Sequence, residues 1–224
     1  MPNTLHIGPK NYSSWSLRPW LILRWAGIEF EENYIPLDQP GYGKAEIAEV
    51  KSVSPSGTVP ALNTNGLVIW DSLAIAEWAA EMDPSLWPSD VAVRAEARAV
   101  TCEMHSSFAG LRRDLGMNIK RRCDNQKWPD DTQRDLRRLF EIWSLCRSRY
   151  ESIGPWLLGE RSIADAFYAP VATRMRTYSV PMDDQSQSYV ETLLNDSDFL
   201  QWEKDCVTDV WDQSGLSIID GLYR

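Results

Sequence analysis

Residues 54–72, SPSGTVPALNTNGLVIWDS, hold the densest set of structural signals in the chain. Asn65-Gly66 is a strong signal for a tight hairpin turn, and short apolar runs lie on both sides of it. Pro60 stands at the start of the first run, where its missing N–H is tolerated in a strand. Asp71-Ser72 supplies two residue types that cap helices. The stretch therefore predicts strand, turn, strand and helix.

The residues before this stretch predict a strand–helix–strand unit. A short strand is predicted at residues 4–7, followed by a polar loop at 8–14. Apolar residues at helical spacing begin after Ser16, and Gly27 can end that helix in the left-handed conformation. Aromatic and β-branched residues at 30–36 favour a second strand. The order βαβ-ββα is typical of a small α/β domain with a mixed sheet. A short helix is also predicted near 45–50.

The rest of the chain predicts only helices. Residues 83–90, with Asp, Pro and Ser, are a linker by composition. The predicted domains are therefore 1–82, a linker at 83–90, and an all-α domain at 91–224. Helical spacing is continuous from Val91 to Arg122, which predicts one long helix there.

Further helices are predicted at 132–150, from Ser162 to about residue 178, and within 189–211. Ser162-Ile-Ala-Asp165 fits a capping box, a pair of side chains that satisfies the first N–H groups of a helix. Both residues are assigned to folding. Pro170 is expected to kink the helix that follows.

Composition excludes several classes of partner. The chain has 224 residues and a formal charge of −9, which disfavours nucleic acid and anionic membranes. No stretch approaches the roughly 18 apolar residues of a membrane span, and the first residues do not resemble a signal peptide, so a cytoplasmic location is predicted. Four scattered cysteines and two histidines indicate reduced thiols and no metal site.

Four motifs together resemble a known family. They are NYSSWSLRPW at 11–20, SGTVPAL at 56–62, DSLAIAEW at 71–78 and ERSIADAF at 160–167. In this order and spacing they resemble the cytosolic glutathione transferase superfamily. The serine-bearing motif is most similar to bacterial members and to the zeta and theta classes. The resemblance implies a thioredoxin-like N-terminal domain that binds glutathione, a helical-bundle C-terminal domain that carries the electrophile site, and a homodimer.

Such an enzyme activates the glutathione thiol. A free thiol with a pKa near 8.5 is ionised only to a few per cent at pH 7, so the sulfur anion must be stabilised. The loop at residues 12–16, here called the serine loop, precedes a helix whose N-terminus favours an anion. The resemblance assigns the sulfur contact to Ser13, with Ser14 as the second choice. Ser16 is expected to cap the helix, and Tyr12 is a rival donor because other classes use a tyrosine.

The remaining glutathione contacts follow from the same resemblance. A cis bond between Val59 and Pro60 would turn the Val59 backbone toward the cysteinyl part of glutathione in the manner of a β-strand, next to Thr58. Asp71 and Ser72 would hold the γ-glutamyl end at a helix N-terminus. Plain helix capping and an ordinary trans proline are the alternatives. Lys44 would approach the glycine carboxylate, or is a solvated lysine.

The electrophile site is expected to combine Tyr12 and Trp15 of the serine loop with the first long helix. His105, Phe108 and Arg112 are spaced i, i+3 and i+7 and are predicted to share a helix face. The alternative is that this face packs into the core. A small hydrophobic electrophile is the expected second substrate, and no metal is expected.

Three other functions remain open at this point. One is a zeta-like isomerase of the maleylacetoacetate type, although Trp15 takes the place of the zeta-type cysteine. Another is a glutathione-binding protein of the same fold without enzymatic activity. A thioredoxin-type reductase is disfavoured, since it needs a reactive cysteine at the start of the first helix.

Overall fold

The structure, a computed structural model, describes residues 2–123 and 127–206. The chain forms two compact units. Among the described residues, unit 1 consists of 2–83 with 201–206, and unit 2 consists of 84–123 with 127–200. The division of labour predicted for the domains 1–82 and 91–224 stays a prediction.

Unit 1 is a four-stranded mixed sheet with helices. The strands lie in the order β2-β1-β3-β4; β1 pairs with β2 in parallel and with β3 antiparallel, and β3 and β4 form the hairpin. This confirms the predicted βαβ-ββα order. Its elements are β1 (Asn3–Ile7), α1 (Ser14–Trp25), β2 (Phe30–Tyr34), α2 (Ala48–Val53), β3 (Ala61–Thr64), β4 (Leu67–Ile69) and α3 (Ser72–Met82).

The core of unit 1 is formed by apolar side chains of the central strands and of α1. Leu5 and Ile7 of β1, and Leu62 of β3, are fully buried. Leu17 and Leu21 of α1 are also fully buried, and α1 packs against α3. In the sheet above this core, His6 near the end of β1 pairs with Ala61 at the start of β3.

Unit 2 is helical. Its core surrounds α7, nearly all of whose residues are buried, and α7 packs against α4 and α8. Trp143 of α6 meets the rings of Tyr168 and Tyr189 edge-on. The helices are α4 (Val91–Ser106), α5 (Ala109–Asp114), α6 (Asp130–Tyr150), α7 (Ile163–Thr177), α8 (Asp184–Leu194) and α9 (Ser197–Cys206). The last part of α9, residues 201–206, belongs to unit 1. None of the helices in 2–123 and 127–206 is long and apolar enough to cross a membrane.

The expectation of one helix from Val91 to Arg122 is wrong. Helix α4 ends at Ser106, and Phe108 has a left-handed backbone with φ 64°. The six-residue α5 follows, and residues 115–122 form no helix. The Phe108 side chain is nevertheless buried, so the apolar spacing continues across a break in the backbone. The spacing of apolar residues therefore predicted the burial of Phe108 correctly, but it predicted an unbroken helix wrongly.

Smaller differences occur elsewhere. Helix α2 begins at Ala48 and not near residue 45, because Gly41, Gly43 and Ala45 all have positive φ, which an α-helix excludes. Pro170 lies inside α7, as predicted. The last predicted helical segment, 207–211, lies outside the described residues.

Candidate functional site

The serine loop is closed by a turn that starts at Pro9. The carbonyl of Pro9 accepts hydrogen bonds from the backbone N–H groups of Tyr12 (3.0 Å) and Ser13 (2.8 Å). Ser13 then caps α1, because its Oγ accepts a hydrogen bond from the backbone N–H of Ser16 at 3.3 Å. The expectation that Ser16 is the cap is wrong. Ser16 Oγ instead accepts hydrogen bonds from Ser13 Oγ (2.8 Å) and from the backbone N–H of Gly8 (3.1 Å).

The two candidate sulfur donors differ in their surroundings. Both Ser13 and Ser14 are buried, at 9% and 6% exposure. The Ser13 hydroxyl is engaged with Ser16, whereas the Ser14 hydroxyl makes no hydrogen bond with any residue in the described ranges. Ser14 is also the first residue of α1, where backbone N–H groups point toward the helix end. One hydroxyl therefore supports the loop, and the other has its donor available.

The two aromatic residues of the serine loop differ in their exposure. Trp15 is 36% exposed, and the guanidinium of Arg18 lies over its ring at 4.4 Å from the centroid. Arg18 itself is fully buried. A cation in this position fixes the indole plane and adds positive charge near the start of α1. Tyr12 is half-buried.

The predicted cis bond between Val59 and Pro60 is confirmed. It directly precedes β3, and Pro60 is buried. Within the described ranges the backbone N–H and C=O of Val59 make no hydrogen bond. Thr58 is exposed, and its hydroxyl bonds that of Ser56 at 2.7 Å. Val59 thus presents backbone groups that an extended ligand can pair with.

The N-terminus of α3 contains a buried hydroxyl. Asp71 is the cap, and its Oδ1 accepts hydrogen bonds from the backbone N–H groups of Leu73 (2.9 Å) and Ala74 (3.4 Å). Ser72, the first helical residue, is fully buried, and its Oγ has no hydrogen-bond partner among residues 2–123 and 127–206. A buried hydroxyl without a partner is costly, and a ligand that accepted its hydrogen bond would remove that cost. Lys44 is exposed in the loop before α2, where its backbone N–H bonds the carbonyl of Gly41 at 3.1 Å.

In unit 2, the expectation that His105, Phe108 and Arg112 share one helix face is wrong, because α4 ends between them. Arg112 lies on α5, and its guanidinium donates to carbonyls at the end of α4, those of Met104, His105 (3.4 Å) and Ser107 (3.0 Å). Burial lowers the pKa of Arg112. Its main contacts therefore cap a helix C-terminus.

His105 and the predicted capping box both face the core of unit 2. The His105 ring lies 5.9 Å from that of Phe167. The capping box of Ser162 and Asp165 is present, and Asp165 also accepts hydrogen bonds from the Leu157 N–H (3.0 Å) and the Tyr189 hydroxyl (2.9 Å). Burial raises the pKa of Asp165 to about 6. These contacts stabilise the unit and support the folding role assigned to Asp165.

One group near the serine loop was missed from the sequence. Lys10 lies within the turn from Pro9 to Ser13, and two of its contacts, Trp202 and Asp205, lie almost two hundred positions away in the sequence. No local pattern signals such a pairing. No group of three or more His, Cys, Asp or Glu side chains in the described part of the chain is arranged to hold a metal ion.

Comparison with known proteins agrees with this geometry. The family model described as the N-terminal domain of glutathione S-transferases matches residues 12–82. Glutathione S-transferase L1 of Arabidopsis thaliana is 25% identical over 163 residues, which cover 72% of this chain and 62% of the relative. Protein LigF of Sphingobium sp. strain SYK-6 is 30% identical over 120 residues, which cover 52% of this chain and 46% of the relative. The chain thus matches less than two thirds of the length of either relative.

A solved structure extends the likeness to the C-terminal helices. It is that of a glutathione transferase homologue from Burkholderia gl BGR1 with bound glutathione, which matches with a TM-score of 0.71 and 22% sequence identity. The match covers 93% of this chain and 100% of that one. Residues 12–82 thus resemble the N-terminal domain of glutathione S-transferases, and the chain has the fold of a glutathione transferase.

Proposed function

We propose that the protein is a glutathione transferase, which binds glutathione in unit 1 and uses its thiolate to attack a small hydrophobic electrophile. The observation that carries the proposal is the pair of buried hydroxyls, Ser13 and Ser14, at the N-terminus of a twelve-residue helix. Hydroxyl donors and a helix N-terminus are the groups that stabilise a sulfur anion without a metal.

The sulfur chemistry is assigned to the serine loop. The thiol proton leaves to solvent, and the resulting thiolate accepts a hydrogen bond from the Ser14 hydroxyl, whose donor no residue of the described ranges takes up. The Ser13 hydroxyl supplies a second hydrogen bond when its proton turns from Ser16 Oγ toward the sulfur. The thiolate then forms a bond to an electrophilic carbon, and the electron pair moves to the leaving group or into the acceptor.

The rest of glutathione is assigned to the residues just before β3 and to the N-terminus of α3. The Ser72 hydroxyl and the N-terminus of α3 bind the γ-glutamyl carboxylate, and the Asp71 carboxylate attracts the amino group. The Val59 backbone pairs with the cysteinyl part across the cis bond to Pro60, beside Thr58. Lys44 is proposed to approach the glycine carboxylate. The support for this arrangement is the fully buried Ser72 hydroxyl, which has no hydrogen-bond partner among the residues that the structure describes.

The electrophile pocket is assigned to the aromatic side chains of the serine loop. The exposed Trp15 and the half-buried Tyr12 offer aromatic surface next to the serines, which suits a small hydrophobic electrophile. We also propose a cytoplasmic homodimer. The exposed Leu67, Trp70 and Met82 of unit 1 supply apolar surface for such an interface.

Substitution of the serines tests the proposal. Bound glutathione is titrated by its thiolate absorbance in the wild-type protein, in S13A, in S14A and in the double variant. We expect a bound thiol pKa well below the free value of about 8.5 in the wild type, a rise in both single variants, and the free value in the double variant. A low thiol pKa that persists in the double variant would remove the serine role.

The zeta-like isomerase and the non-enzymatic protein are distinguished by activity. The similarity of the serine loop to the zeta class supports the isomerase, whereas Trp15 in the place of the cysteine weighs against it. Isomerisation of a maleyl ketoacid without consumption of glutathione would favour the isomerase. Binding of glutathione without turnover of any tested electrophile would favour the binding protein.

A further inference from the structure

A buried lysine lies at the entrance to the serine loop. Lys10 is only 7% exposed, and its ammonium forms ion pairs with Glu32 (2.8 Å) and Asp205 (2.7 Å). The same ammonium lies 5.3 Å from the ring centroid of Trp20 and 5.1 Å from that of Trp202. We call these five residues the Lys10 clamp. Two carboxylates neutralise the charge and two indoles surround it, so the clamp satisfies a lysine that burial would otherwise penalise.

The clamp also holds the main chain. The indole N–H of Trp202 donates to the backbone carbonyl of Lys10 at 3.0 Å, and that of Trp20 donates to Glu32 Oε1 at 2.6 Å. Trp202 is fully buried, so water does not replace its hydrogen bond when the N–H is removed. Lys10 is therefore fixed at its carbonyl and at its side chain. The hydrogen bond to the carbonyl and the ion pair with Asp205 are both made by residues 201–206 of α9, which belong to unit 1.

This fixed residue lies inside the turn that delivers the serines. The turn runs from Pro9, whose carbonyl bonds the N–H groups of Tyr12 and Ser13. Because Lys10 lies inside this hydrogen-bonded turn, a shift of its carbonyl also shifts the cap residue Ser13 and the adjoining Ser14. A hydrogen bond to sulfur depends on placement within a few tenths of an ångström, so a small displacement of the turn weakens it.

We propose that Trp202 is a positioning residue for the serine loop, acting through the carbonyl of Lys10 to place the Ser13 and Ser14 hydroxyls against the glutathione sulfur. The proposal rests on the proposed function for the identity of the ligand. The link from α9 to the loop rests on the structure of unit 1 alone. Trp202 touches neither the sulfur nor the electrophile in this proposal, and the serines remain the donors.

The test compares two tryptophan-to-phenylalanine variants. W202F keeps an aromatic ring beside Lys10 and removes the hydrogen bond to its carbonyl. W143F is the matched control, since Trp143 is also fully buried but its N–H donates to no residue in the described ranges. We expect W202F to raise the pKa of bound glutathione by roughly one unit, which is a tenfold fall in the acid dissociation constant of its thiol. The turnover number falls severalfold, and KM for glutathione changes less than twofold. W143F leaves all three unchanged.

A second readout needs no ligand. Amide hydrogen exchange of the Tyr12 and Ser13 N–H groups, measured in the free protein, reports the closure of the turn. We expect faster exchange in W202F than in the wild type or W143F. Equal exchange in both variants overturns the positioning role, whether or not the protein binds glutathione. Faster exchange with an unchanged thiol pKa also overturns it, because the turn would then not control the sulfur contact.

A milder variant guards against loss of folding. Asp205 is about one-third exposed, so D205N removes one charge of the clamp with little effect on the core. We expect the same direction of change as in W202F, with a smaller rise in the thiol pKa. If the wild-type protein fails to bind glutathione as a thiolate, the proposed function is lost, while the exchange experiment still decides the link between α9 and the loop.

Discussion

Replacing Ser72 with alanine should stabilise the protein and weaken glutathione binding at the same time. In the free protein this hydroxyl is fully buried, and no residue in the described ranges bonds its oxygen. A ligand carboxylate bound at the N-terminus of α3 would accept its hydrogen bond, so the cost of burying the hydroxyl is recovered only on binding. The Ser72 hydroxyl therefore lowers the stability of the free protein but strengthens its binding of glutathione.

Both magnitudes follow from these contacts. An unsatisfied buried hydroxyl costs about 1–3 kcal/mol, and S72A removes that cost while leaving only a small void. A gain of about 1 kcal/mol raises Tm by roughly 2–4 °C for a chain of this size. A hydrogen bond to a carboxylate contributes about 1.5–3 kcal/mol, so the Kd for glutathione should rise by about 10- to 150-fold.

The assay is urea unfolding together with calorimetric titration of glutathione. T101V is the matched control, because the Thr101 hydroxyl in unit 2 is also fully buried and has no hydrogen-bond partner in the described part of the chain. T101V should stabilise the protein to a similar extent and leave glutathione binding unchanged. The reasoning is refuted if S72A is less stable than the wild type and binds glutathione equally well.

Three further predictions concern unit 2. Burial raises the pKa of Asp165 to about 6, above the ordinary 3.8, so the folded state binds this proton more tightly than the unfolded state. The stabilisation of wild type relative to D165N should therefore be greatest below about pH 4 and fall by about 3 kcal/mol as the pH rises through 6; a pH-independent difference would contradict this. R112M should lower the free energy of unfolding by about 1–3 kcal/mol, because the hydrogen bonds of Arg112 to the end of α4 are lost. The control R138M breaks only exposed ion pairs and should change this free energy by under about 1 kcal/mol. Equal urea midpoints for the two variants would argue against the capping role of Arg112. G110A should cost about 1–3 kcal/mol in urea unfolding, because its Cβ would lie 3.0 Å from the Thr132 backbone, and wild-type stability would show that α6 yields at this contact.

The parts of the fold that the sequence predicted well are those set by local chemistry. The Asn65-Gly66 turn and the helix start at Asp71-Ser72 each depend on a few adjacent residues, whereas the cis bond between Val59 and Pro60 was expected from the family resemblance. Their order then restricted the first unit to a small mixed sheet. The capping box at Ser162 was predictable for the same reason, since both partners lie within one helical turn.

The errors arose where distant residues decide between equivalent local choices. Ser13 and Ser16 are both good caps, and the Gly8 N–H, which bonds Ser16 Oγ, leaves the cap to Ser13. The break at Phe108 keeps the apolar spacing while reversing the sign of φ, so periodicity does not detect it. The contacts of Lys10 with Trp202 link positions too far apart for any pattern in the chain.

The participation of α9 in unit 1 has a consequence for the order of events during synthesis. Residues 84–200 are translated between α3 and the segment that carries Trp202 and Asp205. At about 5–20 residues per second this interval lasts on the order of ten seconds. During it, the sheet of unit 1 can assemble, but Lys10 has only Glu32 and Trp20 of its clamp available. The turn before Ser13 is therefore completed late, after the helical unit has been made, so a nascent chain released early would carry both serines without the support that fixes their position.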